Sequence, residues 1–182
     1  FWIPLITMVA NRLGKRNSYI IFVGLSALIC GVGFMVVQPG QLAFVYILAV
    51  INSSAFAATF QLIWAMVADV VEVDEFKTGS RREGLYWGVL NLMLKLGFAF
   101  SLILVSQYLD IIGYVPNAEQ SPTVLWALRW MQGPIYNGIM LISVVFAFFM
   151  PMTHKRYNAL LKAIEAKKAG QQWDETAIAK LI

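Results

Sequence analysis

NSYIIFVGLSALICGVGFMVVQPGQLAFVYILAVINSSAFAATFQLIWAMVA, residues Asn17–Ala68, carries no charged side chain. Crossing about 30 Å of hydrocarbon takes about 20 residues at 1.5 Å each, so this run is too long for one crossing. Gln38-Pro39-Gly40-Gln41 marks a turn in its middle, because adjacent Pro and Gly punctuate a helix rather than extend it. The run divides into two predicted spans, Ser18–Val37 and Leu42–Ala68.

The same reading extends outward. A third span runs over Gly84–Leu109, interrupted only by Lys95, and a fourth over Val124–Met150, with Arg129 near its start and Pro151 closing it. Phe1–Ala10 is too short to cross. No basic segment precedes it, so it is not a signal peptide, and it is expected to end a fifth helix whose N-terminal part is missing. The expected fold is all-α and membrane-embedded: four complete transmembrane helices and the end of a fifth within residues 1–152, then a tail over 153–182.

Composition agrees. The chain is 59% hydrophobic and 13% charged, with a mean hydropathy of +0.68, whereas soluble domains carry about 25% charged residues. The net charge of +4 does not point to nucleic acid, because the cations fall in short clusters between uncharged runs. Arg12, Lys15 and Arg16 occupy the first loop, and Lys77, Arg81 and Arg82 the third. Lys155, Arg156, Lys162, Lys167, Lys168 and Lys180 lie in the tail. The second and fourth loops have no Lys or Arg, so the basic loops and the tail are expected in the cytoplasm of a cell (inner) membrane protein. In the tail, Tyr157, Leu160, Leu161 and Ile164 recur at helical spacing beside cations, which describes an amphipathic helix. It either packs under the bundle or lies on anionic lipid. Gly170 is expected to end it, and Asp174 to cap a last short helix.

Enzyme signatures are absent: there is no G-x-S-x-G, H-E-x-x-H, phosphate loop or dinucleotide fingerprint. The single cysteine, Cys30, excludes a disulfide framework or thiolate cluster and reads as a small core or lipid-facing residue. The single histidine, His154, lies in the tail.

Lys95 is the most informative residue. It is 11 residues past Gly84, about 16 Å deep, too far for its stem to reach either interface. An ammonium at the midplane costs at least about 2.5–3.5 kcal/mol, so Lys95 should face a cavity or a protein partner. Gly84, Gly88, Asn91, Lys95, Ala99 and Ser106 share its helix stripe, which suits an aqueous path or close helix packing. Arg129 is within snorkelling range and is either an interfacial anchor or a gate contact. The acidic run Asp69–Glu75, followed by Arg81, Arg82 and Glu83, is either a solvated loop or a network that pairs within itself and with Arg12 or Arg16. On the network reading Asp69 is expected to pair with Arg81, Arg82 or a loop arginine in one of two alternating conformations.

Three segments carry a family resemblance. Asn11-Arg12-Leu13-Gly14-Lys15-Arg16 resembles the short loop motif of the major facilitator superfamily. The stretch Trp64–Gly84, WAMVADVVEVDEFKTGSRREG, resembles the signature between helices X and XI of the glycoside–pentoside–hexuronide:cation symporters, and Ile112–Ser121 is similar to their next loop. The resemblance implies that Phe1–Ala10 ends helix VIII and that the four spans are helices IX to XII. It also implies alternating access, with a sugar, glycoside or hexuronide bound between two six-helix halves and driven by Na⁺, H⁺ or Li⁺. Lys95, Asn91, Trp87 and Phe60 match substrate-cavity positions. Apart from the resemblance, the charges themselves mark Asp69, Glu72, Arg81, Arg82, Glu83, Arg12 and Arg16 as the expected cytoplasmic gate or salt-bridge network. No cofactor or nucleic acid is implied, and the cation site is expected in the missing N-terminal half. Leu90 and Val73 depart from the family pattern, which argues against melibiose itself. The rivals are a facilitator-superfamily permease for a non-sugar solute and a non-transporting sensor or scaffold.

Overall fold

The computed structural model of the chain describes residues 1–38, 40–151 and 154–168. These form α1 (Trp2–Leu13), α2 (Lys15–Val36), α3 (Leu42–Thr78), α4 (Glu83–Ile111), α5 (Pro122–Trp130), a π-helical turn (Met131–Ile135), α6 (Tyr136–Phe149) and α7 (His154–Lys168). Four stretches are long and apolar enough to cross a bilayer: α2, α3, α4 and the continuous α5–α6. Gly170 and Asp174, expected to stop and cap the tail helices, lie outside the described residues.

One boundary differs from expectation. α3 does not stop at Ala68 but runs on to Thr78, 37 residues in all, about 55 Å. Charged side chains end an apolar window without ending a helix, and no Gly or Pro interrupts the chain until Gly79. That glycine takes the left-handed conformation, φ 70°, and its N–H bonds to the Glu75 carbonyl at 2.9 Å, a common helix stop. The acidic run is therefore helical, not a loop. Gly14, φ 86°, similarly lets α1 turn into α2 through a single residue.

The core lies along α2. Its buried Ser26, Ala27, Cys30 and Gly33, with Ser54, Ala55 and Ala58 buried on α3, are small residues that let backbones approach closely where lipid gives no hydrophobic drive, and the Leu48 side chain of α3 lies against Gly33. Cys30 is fully buried and its thiol donates to the Leu48 carbonyl at 3.4 Å, so it is a core residue. Ile6 and Ala10 of α1 close one side of this core against Tyr19, Val23 and Leu62. On another side the Tyr19 hydroxyl meets Ser143 of α6 at 2.9 Å.

The fourth span carries a π-helical turn at Gly133-Pro134. Proline has no N–H and its ring crowds the preceding turn, and the helix widens into the π turn there. The buried Asn137 amide donates to the Gln132 and Gly133 carbonyls at 3.0 and 2.9 Å, supplying donors that the widened turn lacks. Gly133 is where this turn presses on α2, beside the Gly31 carbonyl.

α7 packs against the bundle. Leu160 and Ala163 are buried on Phe76 at the end of α3, with Val73, Met150 and Ile164 around them. α4 is the opposite case. None of its residues is buried, and beyond its contact with α3 it is tied to α5 by the Tyr108 hydroxyl, which donates to the Ala127 carbonyl at 2.8 Å. A helix apolar all round is a covered helix, so lipid or further protein covers α4.

Candidate functional site: an aromatic and polar seam above a charged end

Four-residue spacing puts Phe56, Phe60 and Trp64 on one stripe of α3 and Trp87, Asn91 and Lys95 on one stripe of α4. Phe56 and Phe60 lie with ring centroids 4.8 Å apart. Trp64 and Trp87 stack across the two helices at 5.2 Å with planes 20° apart. Asn91 donates to the Trp87 carbonyl at 2.8 Å. Lys95 is exposed and forms no ion pair among the described residues. A Cβ added at Gly84, Gly88 or Gly97 would meet nothing within 4 Å, so much of the α4 surface around Lys95 faces open space rather than a neighbouring helix of this chain.

The second group gathers where α1, α2, α3 and α7 meet. Asp69, 3% exposed, accepts from Lys15 Nζ at 2.5 Å, and the same ammonium donates to the Ala65 carbonyl at 3.3 Å. Lys15 also lies 4.8 Å from the centre of the Tyr157 ring of α7. Burial first, then the negative charges of Asp69 and Glu72, push the Tyr157 phenol far above its ordinary range, so it stays a hydrogen-bond donor to these carboxylates. Lys15, Arg16, Asp69 and Tyr157 line a cavity of about 270 Å³ with Asn11, Gln61 and others.

In this conformation Asp69 thus pairs with a lysine, not with Arg12, Arg16, Arg81 or Arg82. The cause is the helical continuation of α3. It aims Asp69 at the start of α2 and carries Arg81 and Arg82 about 15 Å further along the axis. Those arginines serve the last turns instead. Arg82 holds Asp74 through two bonds of 2.9 and 3.1 Å, and Arg81 bonds Glu83 at 3.0 Å and lies 3.7 Å from Glu75. Arg16 donates to the Phe148 carbonyl and sits 5.4 Å from the centre of that ring. Arg12 is exposed and unpaired in charge among the described residues, and Glu72 is half-buried beside Tyr157. Arg129 lines a separate cavity of about 430 Å³ at the other end, with Gln38, Gln41 and Gln132. Among the described residues no group of three His, Cys, Asp or Glu side chains is placed to hold a metal ion.

Three contributors escape sequence reasoning about the site. Lys15 reads there only as a loop cation and Tyr157 only as part of an amphipathic face. Trp64 had a signal, its four-residue distance from Phe60.

These features define a multi-pass helical membrane protein. Residues 1–155 match the family described as MFS/sugar transport protein. The chain is 32% identical over 142 residues to an uncharacterized symporter of Synechocystis sp., covering 75% of this chain and 26% of that protein. It is 30% identical over 172 residues to a glucuronide carrier protein homolog of Escherichia coli, covering 93% and 37%. It is 29% identical over 170 residues to a putative sulfoquinovose importer of Salmonella typhimurium, covering 92% and 36%. No solved structure gives a significant match. The chain therefore belongs to the sugar-transport family of the major facilitator superfamily, the glycoside–pentoside–hexuronide symporters. It spans between 26% and 37% of the length of these relatives.

Proposed function

We propose that this chain supplies the end of helix VIII and helices IX to XII of a cation-coupled symporter that carries a sugar, glycoside or hexuronide by alternating access. The observation that carries the reading is Lys95. It stands 12 residues past Glu83 in a 29-residue helix, about 18 Å from that end, and its side chain is exposed on a helix of which the described residues bury nothing. An ammonium at that depth is tolerated beside water or polar protein and costs at least about 2.5–3.5 kcal/mol in hydrocarbon. A water-filled path between α4 and further helices of a longer protein satisfies that requirement, and Asn91, Trp87 and Phe60 supply the amide and ring faces that sugar hydroxyls and sugar rings prefer.

The names of the relatives support an anionic sugar. A glucuronide carries a carboxylate and sulfoquinovose a sulfonate, and Lys95 offers each a charge-assisted partner. Between Glu83 and Asp110 there is no acidic residue, so the membrane-depth part of α4 offers the coupling cation, Na⁺, H⁺ or Li⁺, no carboxylate, and its site lies elsewhere in the protein. The end carrying Lys15, Arg16, Arg81 and Arg82 faces the cytoplasm, with the tail on the same side, because alternate loops hold the cations.

The test is uptake by the full-length protein in proteoliposomes with Lys95→Ala. Transport of p-nitrophenyl glucuronide should fall at least tenfold while expression stays near normal, and any uptake of the neutral glucoside should fall less. Unchanged glucuronide uptake, or loss of the protein itself, refutes the substrate role, the latter because it marks a lysine with a buried structural partner.

A further inference from the structure

The end of the bundle opposite Lys15 and Arg16 holds one cation among the described residues, Arg129. It is half-buried, and among those residues it forms no ion pair, hydrogen bond or ring contact. The two acids of that end, Asp110 and Glu119, are exposed and leave it unpaired. A guanidinium carries five donors and no acceptor, so this one is free to take an anion.

Arg129 lines the cavity of about 430 Å³ where the turn after α2, the start of α3 and α5 meet. That volume falls within the range of small-molecule sites, about 300–1,000 Å³. Val45, Leu125 and Leu128 give the cavity apolar walls, and Gln38, Gln41 and Gln132 bring carboxamides. None of its described lining residues is acidic. Gln41 Oε1 accepts from the Gln38 backbone N–H at 3.1 Å and ties the turn.

The level is that of lipid headgroups. The continuous α5–α6 has 28 residues, about 42 Å of helix against about 30 Å of hydrocarbon. Arg129 stands seven residues past Pro122, about 10 Å along the axis. Helical side chains tilt toward the N-terminus, here toward the interface, and a long cationic stem reaches it. The exposed Trp126 and Trp130 flank Arg129 on the same helix, as in the aromatic belt at a membrane surface.

We propose that this cavity holds the headgroup of phosphatidylglycerol, with the phosphodiester on Arg129 and the glycerol hydroxyls among the glutamines. The guanidinium fork gives the phosphate a charge-assisted, two-point contact, and the apolar walls meet the start of the acyl chains. The lining also selects the rest of the headgroup. An ammonium headgroup needs a carboxylate, and the lining supplies none. Hydroxyls suit carboxamides, which both donate and accept. The inference needs only the bilayer that the four spans require, and it is independent of what α4 faces.

The experiment uses the full-length protein, purified in non-ionic detergent and stripped of lipid, with thermal unfolding and native mass spectrometry as readouts. Dioleoyl phosphatidylglycerol should raise the parent's melting temperature more than dioleoyl phosphatidylethanolamine does. Arg129→Gln should weaken phosphatidylglycerol binding about fivefold or more, and phosphatidylethanolamine binding less. Val45→Trp fills the apolar wall, keeps the cation and should weaken phosphatidylglycerol binding as well. Unchanged binding in Arg129→Gln, or in Val45→Trp where Arg129→Gln does not accumulate, overturns the site. If Arg129→Gln lowers the melting temperature equally with and without lipid, the guanidinium has a protein partner and the site falls. Equal stabilisation of the parent by the two lipids overturns the headgroup assignment. Soluble glycerophosphoglycerol that stabilises as well as the lipid assigns the cavity to a free phosphodiester and overturns the lipid.

Discussion

Replacing Asp69 by Asn removes one charge from the most buried ionic contact in the structure. The Asp69 side chain is 4% exposed and that of Lys15 32%. Breaking a fully buried pair costs about 3–5 kcal/mol, because one charge is left without a partner. Here Lys15 keeps the Ala65 carbonyl, the Tyr157 ring and some water, so the cost should fall to about 1.5–3 kcal/mol. Lys15→Met strands a carboxylate that still has the Tyr157 hydroxyl nearby, and should cost a similar amount. The double variant should cost less than the sum, with a coupling of at least about 1 kcal/mol, since the residues share one contact. Thermal unfolding of the full-length protein in detergent, followed with a thiol-reactive dye, measures all four corners of the cycle. Additive losses would refute the pairing. The same variants bear on mechanism, because a pair joining α2 to α3 beneath α7 biases a conformational equilibrium rather than the substrate cavity. Asp69→Asn should therefore reduce transport more than substrate binding, and an equal loss of both would refute the switching role.

Two further outcomes follow from other parts of the chain. Cysteines at Gln41 and Ala118 should react with an impermeant thiol reagent in intact cells, while Arg16→Cys and Lys162→Cys should not; the reverse pattern would invert the proposed orientation. Gly133→Ala should destabilise by about 1–3 kcal/mol, since its new Cβ would lie 3.1 Å from the Gly31 carbonyl oxygen. That oxygen is backbone and cannot swing aside. Gly138→Ala, with nothing within 4 Å, is the control, and equal melting temperatures for the two variants would refute the close contact.

What was legible in the sequence follows from which forces are local. Hydropathy adds residue by residue, so the four spans and the turn at Gln38–Gln41 could be read directly. Helix continuity is not the same quantity. Val70 to Lys77 contains no breaker, and Val71 and Phe76 are buried, 4% and 9% exposed, partly because α7 returns to cover Phe76. That tertiary partner lies over 80 residues away in sequence, which is why the acidic run looked like a loop. The same continuation decided that Lys15 would reach Asp69 and that Arg81 and Arg82 would not.

Lys95 was found by depth alone, an argument that needs only the rise per residue and the cost of a charge in hydrocarbon. Its surroundings were not legible, because periodicity gives a face and not what the face meets. α2 and α4 show why. Both are long apolar helices, yet α2 buries Ser18, Val23, Cys30 and others, and α4 buries nothing. The difference lies in what approaches each helix. Small side chains on α2 admit α3 and the Gly133 turn. On α4 Gly84 and Gly88 leave the same kind of room, and none of the described residues enters it. A glycine-lined face with a lysine at mid-depth is poorly suited to lipid, since it offers acyl chains little side-chain contact and leaves the ammonium unsolvated. That mismatch is the physical reason for placing a solute path, rather than the bilayer, against this side of α4.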